Sequence, residues 1–148
     1  MTAELTEQEV EEVAAAVYLS VALFKRRLQQ VQVPGELSMP ESSVLRKLER
    51  GGPATVTALA RAEQISVQSM GATLSALEAR GLVRRQSDPA DGRRAVMSVT
   101  QAGLSALSDK RSARIAQVAR ALAAGFTAGE MDQLMAAAPL IERLAETI

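Results

Sequence analysis

The 148-residue sequence predicts a mainly α chain with one small β hairpin. Two observations carry that expectation. Three Thr or Ser residues each stand three places before a Glu, at Thr6–Glu9, Ser38–Glu41 and Thr127–Glu130, and each pair opens a run of apolar residues spaced by three and four. Between Leu82 and Thr100 that period gives way to two short extended runs, Leu82 to Ser87 and Ala95 to Thr100, around the polar tip Asp88-Pro-Ala-Asp-Gly-Arg-Arg94. Composition agrees, since 47% hydrophobic and 23% charged residues is the balance of a folded chain, long enough for one domain with a real core.

Each element has its own local signal. After Thr6, the residues Val10, Val13, Val17, Val21, Phe24, Leu28 and Val31 predict one helix of roughly 25 residues, about 37 Å at 1.5 Å per residue. Ala14, Ala16, Leu19 and Leu23 widen its apolar face, and Val33-Pro34-Gly35 stops it. Ser38 opens a second helix with Pro40 in the first turn, Val44, Leu45 and Leu48 inward, and Gly51-Gly52-Pro53 at its end. Thr55 to Ala62 is a short helix, followed by the turn Glu63-Gln64-Ile65. Ser66 then caps a helix with Val67, Met70, Leu74 and Leu77 on one face and Gln68, Ser69, Ala72, Ser75 and Ala76 on the other. Gly81 ends it.

Thr100 caps another long helix carrying Leu104, Leu107, Ile115, Val118 and Leu122, closed by Gly125. The last helix follows Thr127 with Met131, Leu134, Ala138, Ile141, Leu144 and Ile148. Pro139 inside it removes one backbone bond at a cost of ~3 kcal/mol and predicts a bend near residues 136–139.

Composition also excludes functions. With no Cys and no His there is no disulfide, no thiol switch and no Ser-His or Cys-His nucleophile, and a metal site would need carboxylates alone. We therefore expect no enzyme, no metal and no cofactor. No apolar run is long enough for a membrane span and the N-terminus is acidic, unlike a signal peptide, which points to the cytoplasm and no membrane partner. Net charge is zero, yet its distribution is uneven. Residues 1–43 hold three basic and seven acidic side chains, residues 44–94 nine and five, and residues 95–148 five of each. Positive charge gathers in the middle of the chain.

A short helix, a tight turn and a longer helix make a helix-turn-helix unit, or else a plain helical hairpin. A helix with an unobstructed polar face, followed by an Arg-tipped hairpin, suits a DNA reader. Two long terminal helices with wide apolar faces would pack on each other or on a second copy of the chain, and a symmetric dimer would present two reading helices.

The run LEARGLVRRQSDPADGRRAVMSVT from Leu77 to Thr100, followed by Gln-Ala-Gly103, resembles the wing region of MarR-type winged-helix transcription regulators. The specific part is Gly-Leu-Val at 81–83, Asp-Pro-x-Asp-x-Arg at 88–93, and a strand ending in Thr100 before a helix. The order of elements matches over about residues 6–148. The resemblance implies a single MarR-type domain over 1–148, with a winged helix-turn-helix DNA-binding lobe at 38–99 and dimerisation helices at 6–33 and 100–148. It implies a homodimeric, sequence-specific double-stranded DNA-binding regulator, a ligand-responsive repressor on a pseudo-palindromic operator. Its effector would be a small aromatic or phenolic molecule. The alternative is a winged-helix protein-interaction module that no longer binds DNA.

The residues expected on the DNA are Ser66, Gln68, Ser69, Met70, Gly71 and Thr73 of the recognition helix, and Asp91, Arg93 and Arg94 of the wing. In the family the wing Arg enters the minor groove, oriented by the Asp; here these are Arg93 and Asp91, with Asp91 placed to accept from the guanidinium. A narrow minor groove concentrates negative potential, which suits a guanidinium on a hairpin tip. Ser42, Ser43, Thr55, Thr57, Arg84 and Arg85 are candidate phosphate contacts. Val10, Val13, Val17, Met131, Leu134, Ile141 and Leu144 are the expected dimer interface. Leu19, Leu23 and Arg27 with Leu45 and Leu48 either line an effector pocket or are plain core. One departure matters: the family often has Thr-Arg where this chain has Gly71-Ala72, so readout shifts toward Gln68, Ser69, the wing and DNA shape.

Overall fold

The computed structural model describes residues 5–31 and 33–148. Contacts divide the chain into two units, residues 1–36 and 37–148.

The first unit is one helix, α1 (Glu7–Gln30). The capping box forms: the Thr6 hydroxyl accepts the Glu9 N–H at 3.2 Å, and the Glu9 carboxylate accepts the Thr6 N–H at 2.8 Å. The Thr6 N–H, and secondarily its hydroxyl, hold the Glu9 carboxyl below its ordinary value. No residue of α1 is buried. Val10 and Val13 are exposed, as are Leu19, Leu23 and Phe24, and Val17 is half-buried.

The second unit holds everything else: α2 (Met39–Gly51), β1 (Ala54–Thr55), α3 (Val56–Glu63), α4 (Val67–Ala79), β2 (Val83–Ser87), β3 (Ala95–Val99), α5 (Gln101–Gly125) and α6 (Ala128–Thr147). Ser38, Ser66, Thr100 and Thr127, the caps expected from the sequence, each accept a backbone N–H three residues on, and so does Thr55, which was expected to open the short helix and to contact phosphate. Gln64 closes α3 in the left-handed region at φ 55°, which lets α4 start only three residues later. Gly81 does the same for α4 at φ 72°, and Leu82 N–H returns to the Leu77 carbonyl at 2.9 Å.

The sheet is antiparallel in the order β1-β3-β2. β2 and β3 pair from Val83↔Val99 to Ser87↔Ala95, as the hairpin pattern predicts. The sequence reading has no β1. Ala54 and Thr55 lie opposite Met97 and Val96, and two residues are too few to show a period of two.

One core holds this unit together: Leu37, Val44, Leu45 and Leu48 from around α2, Leu59 and Ala60 from α3, Met70, Leu74 and Leu77 from α4, Leu82, Val83 and Met97 from the hairpin, and Leu107 from α5. Leu107 takes the core past residue 99, so the start of α5 belongs with the lobe. Val67 was expected on the buried face of α4 but is 53% exposed, because it opens the helix less than one turn before Met70 meets the core. α6 runs through Pro139 without a break and buries no residue; Met131, Leu134, Ile141 and Leu144 are 40–49% exposed. Among the described residues no helix is long and apolar enough to cross a membrane.

Candidate nucleic-acid interface

Helix α4 is fixed by one face. Met70, Leu74 and Leu77 have no exposed surface, so the helix cannot turn about its axis without opening the core. Met70 is thereby removed from the expected DNA-contacting set: it lies on the core side, the same side its spacing with Leu74 and Leu77 requires. The outward side begins with Ser66, Gln68 and Ser69, all exposed, and continues with Ala72, Ser75 and Ala76, with Gly71 and Thr73 half-buried. The Ser66 hydroxyl accepts the Ser69 N–H at 3.0 Å and donates to the Ser69 hydroxyl at 2.9 Å, which leaves the Ser69 proton for an outside acceptor. Thr73 donates back to the Ser69 carbonyl at 3.2 Å and keeps acceptor capacity. Gln68 makes no side-chain bond among the described residues, so its amide is open to an outside partner. A Cβ added at Gly71 would meet nothing within 4 Å, so nothing inside the chain demands glycine there.

The wing tip is built by its two aspartates. Asp88 Oδ1 accepts the Ala90 N–H at 2.9 Å, and the Asp88 N–H donates to the Arg94 carbonyl at 2.9 Å. Asp91 Oδ1 accepts the Arg93 backbone N–H at 3.0 Å. The sequence reading placed Asp91 against the guanidinium of Arg93; the structure puts it on the backbone instead. An Asx-type turn is reachable at a separation of two residues without extending a long side chain, and it is the shorter route. Asp91 therefore orients Arg93 through the main chain, and the guanidinia of Arg93 and Arg94 form no ion pair among the described residues. Both side chains are exposed.

The candidate phosphate contacts divide. Ser42 is excluded, being fully buried: it donates to the Ser38 carbonyl at 2.9 Å and accepts from Lys110 Nζ at 2.8 Å. Lys110 also donates to the Leu37 carbonyl at 2.8 Å, so this pair ties α5 to the first turn of α2. Ser43 donates to Glu63 Oε1 at 2.8 Å and is half-buried, which leaves only its lone pairs for an outside donor. Thr55 spends its hydroxyl as acceptor for the Ala58 N–H at 3.1 Å, while Thr57 is exposed one residue into α3. Arg85 Nε stands 3.6 Å from Glu78 of α4, so part of its charge is answered within the lobe. Arg84, next to it on the strand, is exposed and has no such partner among the described residues.

Leu45 and Leu48, considered as pocket lining, are 0% and 2% exposed and belong to the core of the lobe. The lobe has a different recess. A groove of about 440 Å³ lies between the start of α2 and α4, with Met39, Val44, Ile65 and Met70 as apolar walls and Ser69, Thr73 and Glu63 as polar groups. Among the described residues no three carboxylates gather as a metal cage would need.

Two roles escaped the sequence. Lys110 is one polar residue between apolar positions of a long helix, with nothing local to mark its partners. Gly103 stands three residues after the cap Thr100, yet the reason for glycine there is spatial: an added Cβ would run into the Leu82 carbonyl oxygen and approach Val99 Cγ2 at 2.8 Å. Neither contact leaves a periodic trace.

Known proteins share this arrangement. The family model for the MarR family matches residues 37–95, the span from the end of the first unit to the wing. An uncharacterized HTH-type transcriptional regulator of Mycobacterium bovis is 31% identical over 133 residues, covering 90% of this chain and 92% of that one. One from Bacillus subtilis is 33% identical over 81 residues, so that the chain spans just over half of that relative, 57%. Among solved structures, a transcriptional regulator protein of Pseudomonas aeruginosa PA01 superposes with a TM-score of 0.74 at 31% identity, covering 95% of this chain and 98% of that one. A MepR variant of S. aureus bound to an oligodeoxyribonucleotide shares the fold at a TM-score of 0.65 and 19% identity, covering 98% of this chain and all of that one. The match to the Mycobacterium regulator spans most of the chain and not the lobe alone, and with the family model it identifies the chain: it belongs to the MarR family of helix-turn-helix transcriptional regulators, a family of DNA-binding proteins and not of enzymes.

Proposed function

We propose that this protein acts as a homodimeric, sequence-specific repressor in the cytoplasm, holding double-stranded DNA at a pseudo-palindromic operator and releasing it when a small aromatic or phenolic ligand binds. One observation carries the DNA-binding part. The buried face of α4 leaves Gln68 and Ser69 exposed beside the half-buried Thr73, and the same unit holds Arg93 and Arg94 at the wing tip with no ion pair among the described residues. Short polar side chains admit close approach to base edges, while the two guanidinia supply the charge that α4 lacks. The DNA-bound MepR variant supports the reading through its shared fold.

The dimer is supported by what the single chain leaves exposed. α1 and α6 bury nothing, although Val10, Val13, Leu134, Ile141 and Leu144 recur at helical spacing along them. Apolar stripes of that length mark association surfaces. The groove between α2 and α4 supports the effector: an aromatic ring there would press on Ser69 and Thr73 of the reading helix.

Selection of bound duplexes from a random DNA pool, followed by titration at two salt concentrations, tests the reading. Wild type should show a salt slope of several ions, and Arg93→Ala should lose about 1–3 kcal/mol of binding free energy. Absence of binding at low salt would remove this reading and leave the protein-interaction module. Gly71→Ala separates fold from interface. With nothing within 4 Å it should raise the unfolding free energy by up to ~1 kcal/mol, and it should weaken DNA binding by at least a few fold if DNA occupies the open space.

A further inference from the structure

A second basic surface lies outside the recognition helix and the wing. Arg46, Lys47 and Arg50 of α2 line a groove of about 510 Å³ whose other residues include Gly51, Gly52 and Ala54. Ala58 and Ala62 of α3 also line it, so small side chains leave backbone and cations accessible together. Arg46 and Arg50 stand four residues apart, one helical turn or about 6 Å along the axis. Neither guanidinium forms an ion pair among the described residues.

The carboxylates nearby answer Lys47 but neither arginine. Glu63 is engaged by Lys47 Nζ at 3.6 Å and by the Ser43 hydroxyl at 2.8 Å, and Glu49 does not line the groove. A cation in the last turn of α2 offsets the partial negative charge of the helix end, and Arg50 alone would serve. Arg46 lies a turn earlier and is not explained by it.

We infer that this groove is a phosphate-binding site, separate from the recognition helix and wing. The charge of two guanidinia without ion pairs among the described residues suits the DNA backbone as the source, with Arg46 and Arg50 gripping backbone phosphates that flank the operator core, so this inference rests on the DNA-binding reading. A free phosphate-bearing ligand is the other source of the same chemistry. Guanidinium forks and point-charge lysine bind phosphate without reading sequence, so the site adds affinity and extends the footprint but confers no base preference.

The test uses the full-length protein and a duplex that it has itself selected from a random pool, in a trimmed form and a form with about one helical turn (~10 base pairs) added on each side. Arg46→Gln with Arg50→Gln should lower the salt slope on the flanked duplex by about one per guanidinium, and leave the trimmed duplex unchanged. In a parallel arm, pyrophosphate is titrated against both proteins by thermal shift. Stabilisation of wild type alone, with unchanged DNA slopes, would assign the groove to a free phosphate ligand instead of DNA. Equal slopes together with no pyrophosphate effect would overturn the site altogether. Arg93→Ala on the trimmed duplex is the control: if it weakens binding while the groove variant does nothing, the DNA-binding reading stands and only the groove proposal fails.

Discussion

Gly103→Ala is expected to destabilise the unit that holds α2 to α6 by about 1–3 kcal/mol, against the ~1 kcal/mol by which alanine normally favours a helix over glycine. The sign reverses because the new methyl has nowhere to go. It would meet the Leu82 carbonyl oxygen, a backbone atom that no rotamer change can move, and Val99 Cγ2 at 2.8 Å. Helix α5 cannot slide away to make room. The Thr100 N–H donates to that same Leu82 oxygen at 3.1 Å, the Thr100 hydroxyl donates to the Gly81 carbonyl at 2.6 Å, and the Gly103 N–H donates to the Thr100 hydroxyl at 3.1 Å. Relief would require breaking this cap or moving β2. Thermal unfolding reads the effect as a fall of several degrees, roughly 2–4 °C per kcal/mol in a chain of this size. Gly71→Ala, in open space, is the matched comparison and should move the other way. An unchanged or raised midpoint for Gly103→Ala would show that the approach of α5 to Leu82 is looser than the geometry states.

The larger effect on function is expected from Leu134→Asp combined with Ile141→Asp. Both residues lie on α6, are 49% and 44% exposed, and contribute nothing to the core of the lobe. The substitutions should therefore leave the lobe folded. If α6 helps to join two copies, two buried carboxylates would break the interface, because each would lose its hydration without gaining a cation. A monomer then holds one half-site, and loses the gain from linking two binding events, a factor of about 100–10,000 in apparent affinity. Sedimentation equilibrium gives the mass and a DNA titration gives the affinity. A double variant that remains dimeric and binds as wild type would sink the assignment of α6 to the interface.

Much of this was legible because its physics is local. A Thr or Ser side chain reaches a backbone N–H only three residues away, so Thr6, Ser38, Thr55, Ser66, Thr100 and Thr127 announce helix starts irrespective of what surrounds them. Gly81 marks a helix end for the same reason, since φ of 72° is a property of the residue and its neighbours. The wing was legible from Asp88, Pro89, Asp91 and Gly92, whose turn chemistry spans seven residues. Met70 shows where pattern and function were confused. Its spacing with Leu74 and Leu77 already placed it inward, and burial confirms the spacing over the expected DNA contact.

What the sequence determined by itself is the set of helices, their caps, the hairpin and the Arg-bearing tip, because each depends on interactions within a few residues. The tertiary structure alone decided which short polar residues remain available. Ser42 and Ser43 are neighbours with the same hydroxyl, yet Ser42 is enclosed by Lys110, 68 residues away, and Ser43 is held by Glu63, 20 residues away at the end of α3. It likewise decided that β1 would pair with β3, that Asp91 would serve the backbone of Arg93, and that α5 would start against Leu82. Contacts between residues distant in sequence leave no local signature, and Gly103 shows the reason in one place: its missing side chain is required by an oxygen 21 residues earlier in the chain.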